Sequence, residues 1–203
     1  AAEIIIATDS EKIKDICKKF GAKCLITSGE HKSGTDRVNE VAVIENWSDE
    51  MIIVNLQGDN ALMPSKNIDQ VAKLLFDNPA YSIATLATNF LSKDEEEDEN
   101  AVKVFFDKET DEAITFKRQL KTYGNTSVNY MRHIGIYAYT RSSLRTFSDS
   151  EPSIEEEEEK LEQLRAYNLK LRIIVGKASI TPGPDVDTYE DLLLVNSIYK
   201  NPK

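Results

Sequence analysis

The chain has 203 residues, of which 40% are hydrophobic and 30% are charged, a composition typical of a globular domain with a real core. No apolar run approaches the ~18 residues of a membrane span, the first residues lack the basic flank of a signal peptide, and the two cysteines fit the thiols of a cytoplasmic protein. The formal net charge of −10 argues against nucleic-acid binding, so an anionic substrate would need local Lys or Arg or a divalent metal.

The chain begins with the β-α-β pattern that builds parallel sheets. An apolar run over 3–9 predicts a buried strand that ends in a polar turn. A helix over about 10–20 follows, with Asp9 or Ser10 as the candidate N-cap, and Gly21 ends it. A second short strand over 22–26 completes the unit, so we expect a parallel sheet.

A polar loop after the second strand places Ser33, Gly34 and Thr35 at the start of the next helix. Free N–H groups and the helix dipole favour anions or carbonyl acceptors at such a position. The alternative is plain N-capping by Thr35 or Asp36 with Arg37 in solvent, and capping and ligand binding are compatible here.

The third strand, over 51–56, is a continuous apolar run, the pattern of a strand buried on both faces of a sheet. It ends in Gln57, Gly58 and Asp59, and ligands bind beyond the carboxyl ends of strands in open α/β sheets. A carboxylate after a glycine is well placed to hold a hard cation against phosphate oxygens. An ordinary strand-to-loop turn is the alternative, because Gly-Asp is common turn chemistry.

After a further helix and strand, the acidic run 93–100 is typical of a solvated surface rather than of a calcium loop. Two strands over 101–106 and 113–116 predict a hairpin, an antiparallel departure from the main sheet. Lys117 and Arg118 follow the hairpin. They could meet an anionic substrate or project into solvent.

The last third of the chain carries further candidate polar residues. His133 stands at the mouth of a strand over 134–139, and a lone histidine is more often structural than catalytic. A single helix is predicted over 153–165, with an acidic first turn that suits the helix dipole. Glu162 and Gln163 lie beside its apolar stripe and could face either water or a cleft.

Five motifs occur in a fixed order along the chain. They are Ser33-Gly-Thr-Asp-Arg37, Asn55-Leu-Gln-Gly-Asp59, His133-Ile-Gly-Ile-Tyr137, Leu161-Glu-Gln-Leu-Arg165 and Val186-Asp-Thr-Tyr-Glu-Asp-Leu192. Taken together, they resemble the CMP-Kdo synthetases, the 3-deoxy-manno-octulosonate cytidylyltransferases of lipopolysaccharide synthesis. The resemblance runs from residue 3 to about 195. The family's N-terminal strand and its phosphate-binding loop, whose Arg and Lys hold the CTP phosphates, are not found in this sequence.

The resemblance implies a fold and an activity. The fold would be a mostly parallel, Rossmann-like α/β sheet of the nucleotide-diphospho-sugar transferase type. It would form one domain over 1–203, with a small antiparallel dimerisation and sugar-binding region inserted at about 101–150. The protein would be a homodimer in which the anomeric hydroxyl of the sugar acid attacks the α-phosphate of CTP and releases pyrophosphate.

The resemblance also assigns roles to individual residues. Asp59 and Asp187 would hold Mg²⁺ and, with Arg118, would be the catalytic residues. The cytidine would lie near Ser33, Gly34, Thr35 and Gln57, with Arg37 supporting that loop. The residues around the Kdo-like sugar acid would be Arg118, His133, Tyr137, Glu162 and Gln163. Two alternatives stay open: a catalytically silent nucleotide-sugar binding domain, and a cytidylyltransferase for another sugar acid, such as 8-amino-Kdo or N-acylneuraminate.

Overall fold

The order of strands and helices follows the hydrophobic patterns of the sequence. The computed structural model describes residues 1–120 and 128–200, and no helix in these two ranges is long and apolar enough to cross a membrane. In chain order the elements are β1 (Ile5–Thr8), α1 (Glu11–Lys19), β2 (Lys23–Ile26), α2 (Gly34–Ile44), β3 (Ile52–Leu56), α3 (Ser65–Asp77), β4 (Ile83–Thr88), α4 (Lys93–Glu97), β5 (Lys103–Asp107), β6 (Ala113–Lys117), β7 (Val128–Thr140), α5 (Arg141–Ser148), α6 (Ile154–Glu159), α7 (Gln163–Asn168), β8 (Ile173–Lys177) and α8 (Tyr189–Lys200).

The predicted β-α-β unit at the start of the chain is confirmed. Strands β1 and β2 pair in parallel and form a two-stranded sheet, with α1 between them in sequence. The side chain of Ser10 accepts a hydrogen bond from the backbone N–H of Ile13 and so caps α1. Gly21 follows the helix with a φ of 74°, a left-handed conformation that favours glycine.

The main sheet has six strands and is mixed. Its order is β6-β5-β7-β4-β8, and β3 pairs with the second half of β7, from Ile136 to Thr140. Strands β3, β4, β5 and β8 run in one direction, since β7 is antiparallel to β3, β4 and β5 while β4 and β8 are parallel. The α/β class is therefore confirmed, with β7 inserted between strands that run the other way.

Alternation along β7 builds a core on each face of the sheet. Tyr137 and Tyr139 pack on one face, where helices α2, α5 and α7 contribute apolar side chains. Ile136 and Ala138 pack on the other face, against Val71 and other residues of α3. The structure thus has three layers, in which a central sheet is covered by helices on both faces.

The predicted hairpin is present as β5 and β6, which pair antiparallel from Lys103 to Phe106. Strand β5 also pairs with the first half of β7, so the hairpin extends the main sheet. Residues 121–127 of the predicted insertion at 101–150 lie outside the described residues. The role of this region in dimerisation stays a prediction.

The predicted single helix over 153–165 is wrong. Ser153 starts a helix there with a capping box, but the helix ends at Lys160, which adopts a left-handed conformation with a φ of 54°. This break lets Leu161 turn into the core, where it is 3% exposed. A second helix, α7, then begins at Gln163, so Glu162 and Gln163 lie at a helix start instead of in the middle of a helix.

Candidate functional site

The N-terminus of α2 is shaped by a serine cap. The side chain of Ser33 accepts a hydrogen bond from the backbone N–H of Asp36 at 3.1 Å and donates one to its carboxylate at 2.8 Å. Ser33 is therefore the N-cap, rather than Thr35 or Asp36 as the capping alternative proposed. Gly34, the first helical residue, is exposed, and this leaves the start of the helix open to a ligand.

Arg37 is not a solvated side chain but a brace for this loop. Its guanidinium donates a hydrogen bond to the hydroxyl of Thr27 at 2.6 Å, just beyond the end of β2. It also lies 3.6 Å from the carboxylate of Asp9, just beyond β1. The ends of two strands and the start of α2 are thus joined, which fits the supporting role that the sequence assigns to Arg37.

Thr35 connects α2 to α7. It is fully buried, and its hydroxyl donates a hydrogen bond to a carboxylate oxygen of Glu162 at 3.0 Å. The same hydroxyl lies 3.2 Å from the hydroxyl of Tyr139 on β7. A predicted nucleotide-binding residue therefore directly contacts a predicted sugar-binding residue.

Glu162, Gln163 and Tyr137 form a buried polar cluster. The side-chain amide of Gln163 donates a hydrogen bond to the hydroxyl of Tyr137. Burial raises the pKa of Glu162, while the hydrogen bond from Thr35 works against this shift. A cavity of about 10 Å³, room for about one water molecule, lies between these side chains and Tyr139. The cluster is therefore closed in this structure, and a sugar would have to open it.

His133 is a neutral, buried member of the same region. Its Nε2 lies 2.9 Å from the hydroxyl of Thr85, and its ring packs edge-on against Phe116 at 5.1 Å and beside Tyr137 at 5.4 Å. Burial, with a contribution from the charge of Arg132, lowers the pKa of His133 to about 3. The imidazole therefore stays neutral at neutral pH and acts as a hydrogen-bonding and packing group.

Arg165 is a member of this region that reasoning from the sequence did not single out. It is 2% exposed, and its guanidinium donates two hydrogen bonds to Glu156 at 2.6 and 2.7 Å and one to Asp36 at 3.1 Å. It also stacks over the ring of Phe147 at 4.2 Å. The available signal was the motif Leu161-Glu-Gln-Leu-Arg165, which ends on this residue.

Arg118 lies between backbone carbonyl groups. Its guanidinium donates to the carbonyl oxygens of Glu159 at 2.9 Å, Glu99 at 3.2 Å and Lys160 at 3.4 Å. The buried Lys103 donates to the carbonyl of Arg118 itself at 2.8 Å. None of these contacts involves another predicted sugar-binding residue, so the described structure does not join Arg118 to the cluster around Tyr137.

The carboxyl end of β3 meets the loop that precedes α8. The backbone N–H of Val186 donates to the carbonyl of Asp59 at 3.0 Å, which brings Asp187 to the end of the strand. The loop approaches closely at Gly183, where a Cβ atom would lie 2.5 Å from a methyl group of Leu62. The two predicted metal ligands, separated by more than a hundred residues in sequence, thus lie in one region.

The carboxylates of Asp59, Asp185 and Asp187 lie close enough to one another to interact electrostatically. Desolvation and the negative charges of Asp59 and Asp187 raise the pKa of Asp185, although that residue as a whole is exposed. The side chain of Gln57 lies against β7: a Cβ atom on Gly135 would be 3.9 Å from its side-chain amide carbon.

This donor set fits a magnesium ion that is shared with a ligand. Magnesium takes one or two carboxylates and completes its shell with water and substrate phosphates. Among the described residues, no group of three or more His, Cys, Asp or Glu side chains is arranged to hold a metal by itself. Asp59 and Asp187 therefore match a site that phosphate oxygens would complete.

Comparisons with known proteins agree with these observations. A family model described as cytidylyltransferase matches residues 1–173. The 3-deoxy-manno-octulosonate cytidylyltransferase of Francisella tularensis subsp. tularensis (strain SCHU S4 / Schu 4) is 38% identical over 203 residues, which span 97% of this chain and 81% of that protein. The enzyme of that name from Acinetobacter baumannii (strain SDF) is 38% identical over 205 residues, with the same shares.

Solved structures support the fold. A structure of CMP:2-keto-3-deoxy-manno-octonic acid synthetase complexed with CTP is 32% identical and matches with a TM-score of 0.87, over 99% of this chain and 82% of that chain. A putative glucose-1-phosphate thymidylyltransferase from Bacillus anthracis, 16% identical with a TM-score of 0.62 over 98% of this chain and 77% of that chain, shares the fold alone.

Proposed function

Because the chain belongs to the 3-deoxy-manno-octulosonate cytidylyltransferase family, the CMP-Kdo synthetases, we propose that it transfers the cytidylyl group of CTP to the anomeric hydroxyl of Kdo. The products are CMP-Kdo, for lipopolysaccharide synthesis, and pyrophosphate. The observation that carries the proposal is the contact between Thr35 and Glu162 at 3.0 Å, because it joins the candidate nucleotide loop to the candidate sugar cluster.

The nucleotide side of the site is formed by the start of α2 and the end of β3. Ser33 and Gly34 lie at the open start of this helix, where free backbone N–H groups suit acceptor atoms of the cytidine, and the buried Thr35 supports them through its contact with Glu162. Gln57 follows β3 and can add an amide that both donates and accepts hydrogen bonds. Arg37 keeps the loop in place through Thr27 and does not need to touch the nucleotide.

Asp59 and Asp187 are the proposed holders of Mg²⁺. The support is their shared location at the carboxyl end of β3 and their joint effect on the pKa of Asp185. When bound, the ion would neutralise phosphate charge and lower the pKa of the attacking hydroxyl. Nucleotidyl transfer depends mainly on such positioning and electrostatic stabilisation. These two carboxylates should therefore contribute most to the catalytic rate.

On the sugar side, the proposed binding residues are His133, Tyr137, Glu162 and Gln163, together with Arg118, which does not contact them in the described structure. These side chains offer amide, hydroxyl and neutral imidazole groups, which suit sugar hydroxyls. Arg118 would pair with the carboxylate of the sugar acid, since guanidinium and carboxylate match bidentately. That carboxylate has to replace backbone carbonyls that Arg118 now contacts, so we expect this region to rearrange on binding.

The assembly and location of the protein belong to the same proposal. A cytoplasmic homodimer is expected, with the region at about 101–150 at the interface, and the sugar acid and CTP as its partners. Light scattering at several protein concentrations measures the mass of the particle. A monomer at all concentrations, in protein that is active, would remove this part of the proposal and leave the chemistry untouched.

The experiment is a pyrophosphate-release assay with CTP, Kdo and Mg²⁺. We expect release that depends on all three components and a product with the mass of CMP-Kdo. Competition between Kdo, 8-amino-Kdo and N-acylneuraminate in one assay identifies the preferred sugar acid. Binding of CMP-sugar without turnover would instead favour the silent binding domain, and release with none of these acids contradicts the proposal.

A further inference from the structure

Arg165 is a buried cation with two carboxylate partners from two different helices. Its side chain is 3% exposed, and those of Asp36 and Glu156 are 14% and 10% exposed. The guanidinium of Arg165 donates two hydrogen bonds to the carboxylate of Glu156, at 2.6 and 2.7 Å, and one to the carboxylate of Asp36, at 3.1 Å. Desolvating three charges is costly, and apolar residues of similar volume often stabilise a core as well or better. A role in positioning the helices therefore explains the triad of Asp36, Glu156 and Arg165 better than a role in stability alone.

Each arm of the triad ends beside a residue of the proposed site. Asp36 is the next residue after Thr35 and accepts the hydroxyl hydrogen bond of the N-cap Ser33. Arg165 itself lies in α7, two residues after Gln163 and three after Glu162. The guanidinium thus spans the gap between the nucleotide-binding start of α2 and the sugar-binding start of α7.

The second carboxylate, Glu156, joins α6 to α7. Glu156 closes the capping box of α6 by accepting from the backbone N–H of Ser153 at 3.3 Å. The stacking of Arg165 on Phe147 at 4.2 Å adds α5 to the same junction. A planar, forked guanidinium can satisfy two carboxylates and a ring face at once, whereas an ammonium group cannot reproduce this geometry.

We propose that Arg165 is a positioning residue that sets the start of α2 against the start of α7, and so aligns the nucleotide with the sugar acid. This inference rests on the proposed function. Arg165 contacts neither substrate and acts through Asp36, Thr35 and Glu162. Loss of the link would let the two helix starts drift apart, and misplacement of about 1 Å is enough to change catalytic parameters by one to two powers of ten.

The test compares Arg165→Lys with a matched control, Arg145→Lys. Arg145 also makes a two-pronged ion pair, with Asp49 at 3.0 and 3.2 Å, but this pair is exposed. Both variants keep the positive charge and lose the fork. We expect Arg165→Lys to weaken CTP binding, measured by calorimetry, and to raise the KM values for CTP and the sugar acid by about tenfold. Arg145→Lys should leave all three quantities within about twofold of the parent protein.

A second variant keeps the inference testable if Arg165→Lys fails to fold. Glu156→Gln retains the shape of the side chain and the contact of Arg165 with Asp36, and should raise both KM values by about threefold. Unchanged KM values in a folded Arg165→Lys or Glu156→Gln protein overturn the inference and leave the proposed function standing. A parent protein that neither binds CTP nor releases pyrophosphate overturns both.

Discussion

The carboxylates of the proposed site contact an arginine side chain in one region but not in another. Around α7, the carboxylates of the partly buried Asp36 and the buried Glu156 both contact the guanidinium of Arg165 within 3.1 Å. At the end of β3, Asp59 and Asp187 lie in a more open region. In the described part of the chain, neither has a Lys or Arg nitrogen within 4 Å.

The difference shows which part of the site the chain completes by itself. The first region pairs both carboxylates with a guanidinium of the chain itself and can hold its geometry in the absence of substrate. In the second region, desolvation and the negative charges of Asp59 and Asp187 raise the pKa of Asp185, while the positive charge of Arg132 works against this shift. An added cation would relieve the remaining repulsion, and this supports the proposal that Mg²⁺ binds here together with the nucleotide.

The largest expected effect is the loss of activity when a carboxylate at the end of β3 is removed. Asp59→Asn or Asp187→Asn removes a proposed ligand of Mg²⁺ and should lower kcat by about 100-fold or more, because the lost electrostatic stabilisation is several kcal/mol. Glu190→Gln is the control, since it removes an exposed carboxylate from the first turn of α8. Pyrophosphate release measures all three variants. Equal losses in Glu190→Gln and Asp187→Asn would show that only the overall charge matters.

The next effect is a loss of stability when the ion pairs of Arg165 are removed. Arg165→Met leaves two buried carboxylates without a cation and should lower the free energy of unfolding by about 3–5 kcal/mol. Arg145→Met breaks an exposed pair and should cost less than about 1 kcal/mol. Urea unfolding of both variants gives the comparison. Similar losses in the two proteins would contradict the distinction between a buried and a surface ion pair.

The pH dependence of the free energy of unfolding tests whether the imidazole of His133 is buried. The pKa of His133 is about 3 in the folded protein and about 6.5 in the unfolded chain, so between these values only the unfolded chain binds the proton. The free energy of unfolding should therefore fall as the pH drops below about 6.5, by at most ~1.4 kcal/mol per pH unit from this group. His133→Gln should lose this contribution.

Urea unfolding at pH 7, 6 and 5 measures that contribution. The parent protein should lose more stability than His133→Gln at each step towards lower pH. A difference between the two proteins that does not change with pH would mean that His133 titrates normally and is hydrated.

The smallest effect concerns the break between α6 and α7. Lys160 holds a φ of 54°, which costs a side-chain-bearing residue about 1 kcal/mol. Lys160→Gly should therefore raise the free energy of unfolding by about 0.5–1 kcal/mol, and thermal or urea unfolding can measure this change. A loss of stability would indicate that the residue prefers to continue the helix, and that the start of α7 is not set by this break.

Much of this structure could be read from local sequence patterns. The β-α-β start, the hairpin and the helix start at Ser33 are determined within a few residues, through apolar periodicity and capping groups. The location of Asp59 was accessible for the same reason, because an apolar strand that ends in Gly-Asp places a carboxylate at the edge of the sheet, although β3 is only half buried and not buried on both faces as predicted.

The remainder depends on which distant segments meet. The insertion of β7 between β3 and β4 is a choice of partners, and strand periodicity does not encode it. The triad of Asp36, Glu156 and Arg165 unites side chains up to 129 positions apart. The helix break at Lys160 was hidden because its neighbours fit a continuous helix, while the burial of Leu161 decided the outcome.

The most direct measurement is a calorimetric titration of the protein with Mg²⁺, with and without CTP. We expect Mg²⁺ to bind weakly to the protein alone and more tightly when CTP is present. The tighter binding should be lost in Asp59→Asn and in Asp187→Asn but not in Glu190→Gln. Binding of Mg²⁺ in the presence of CTP that is unchanged in both aspartate variants would contradict the claim that these two carboxylates form the metal site.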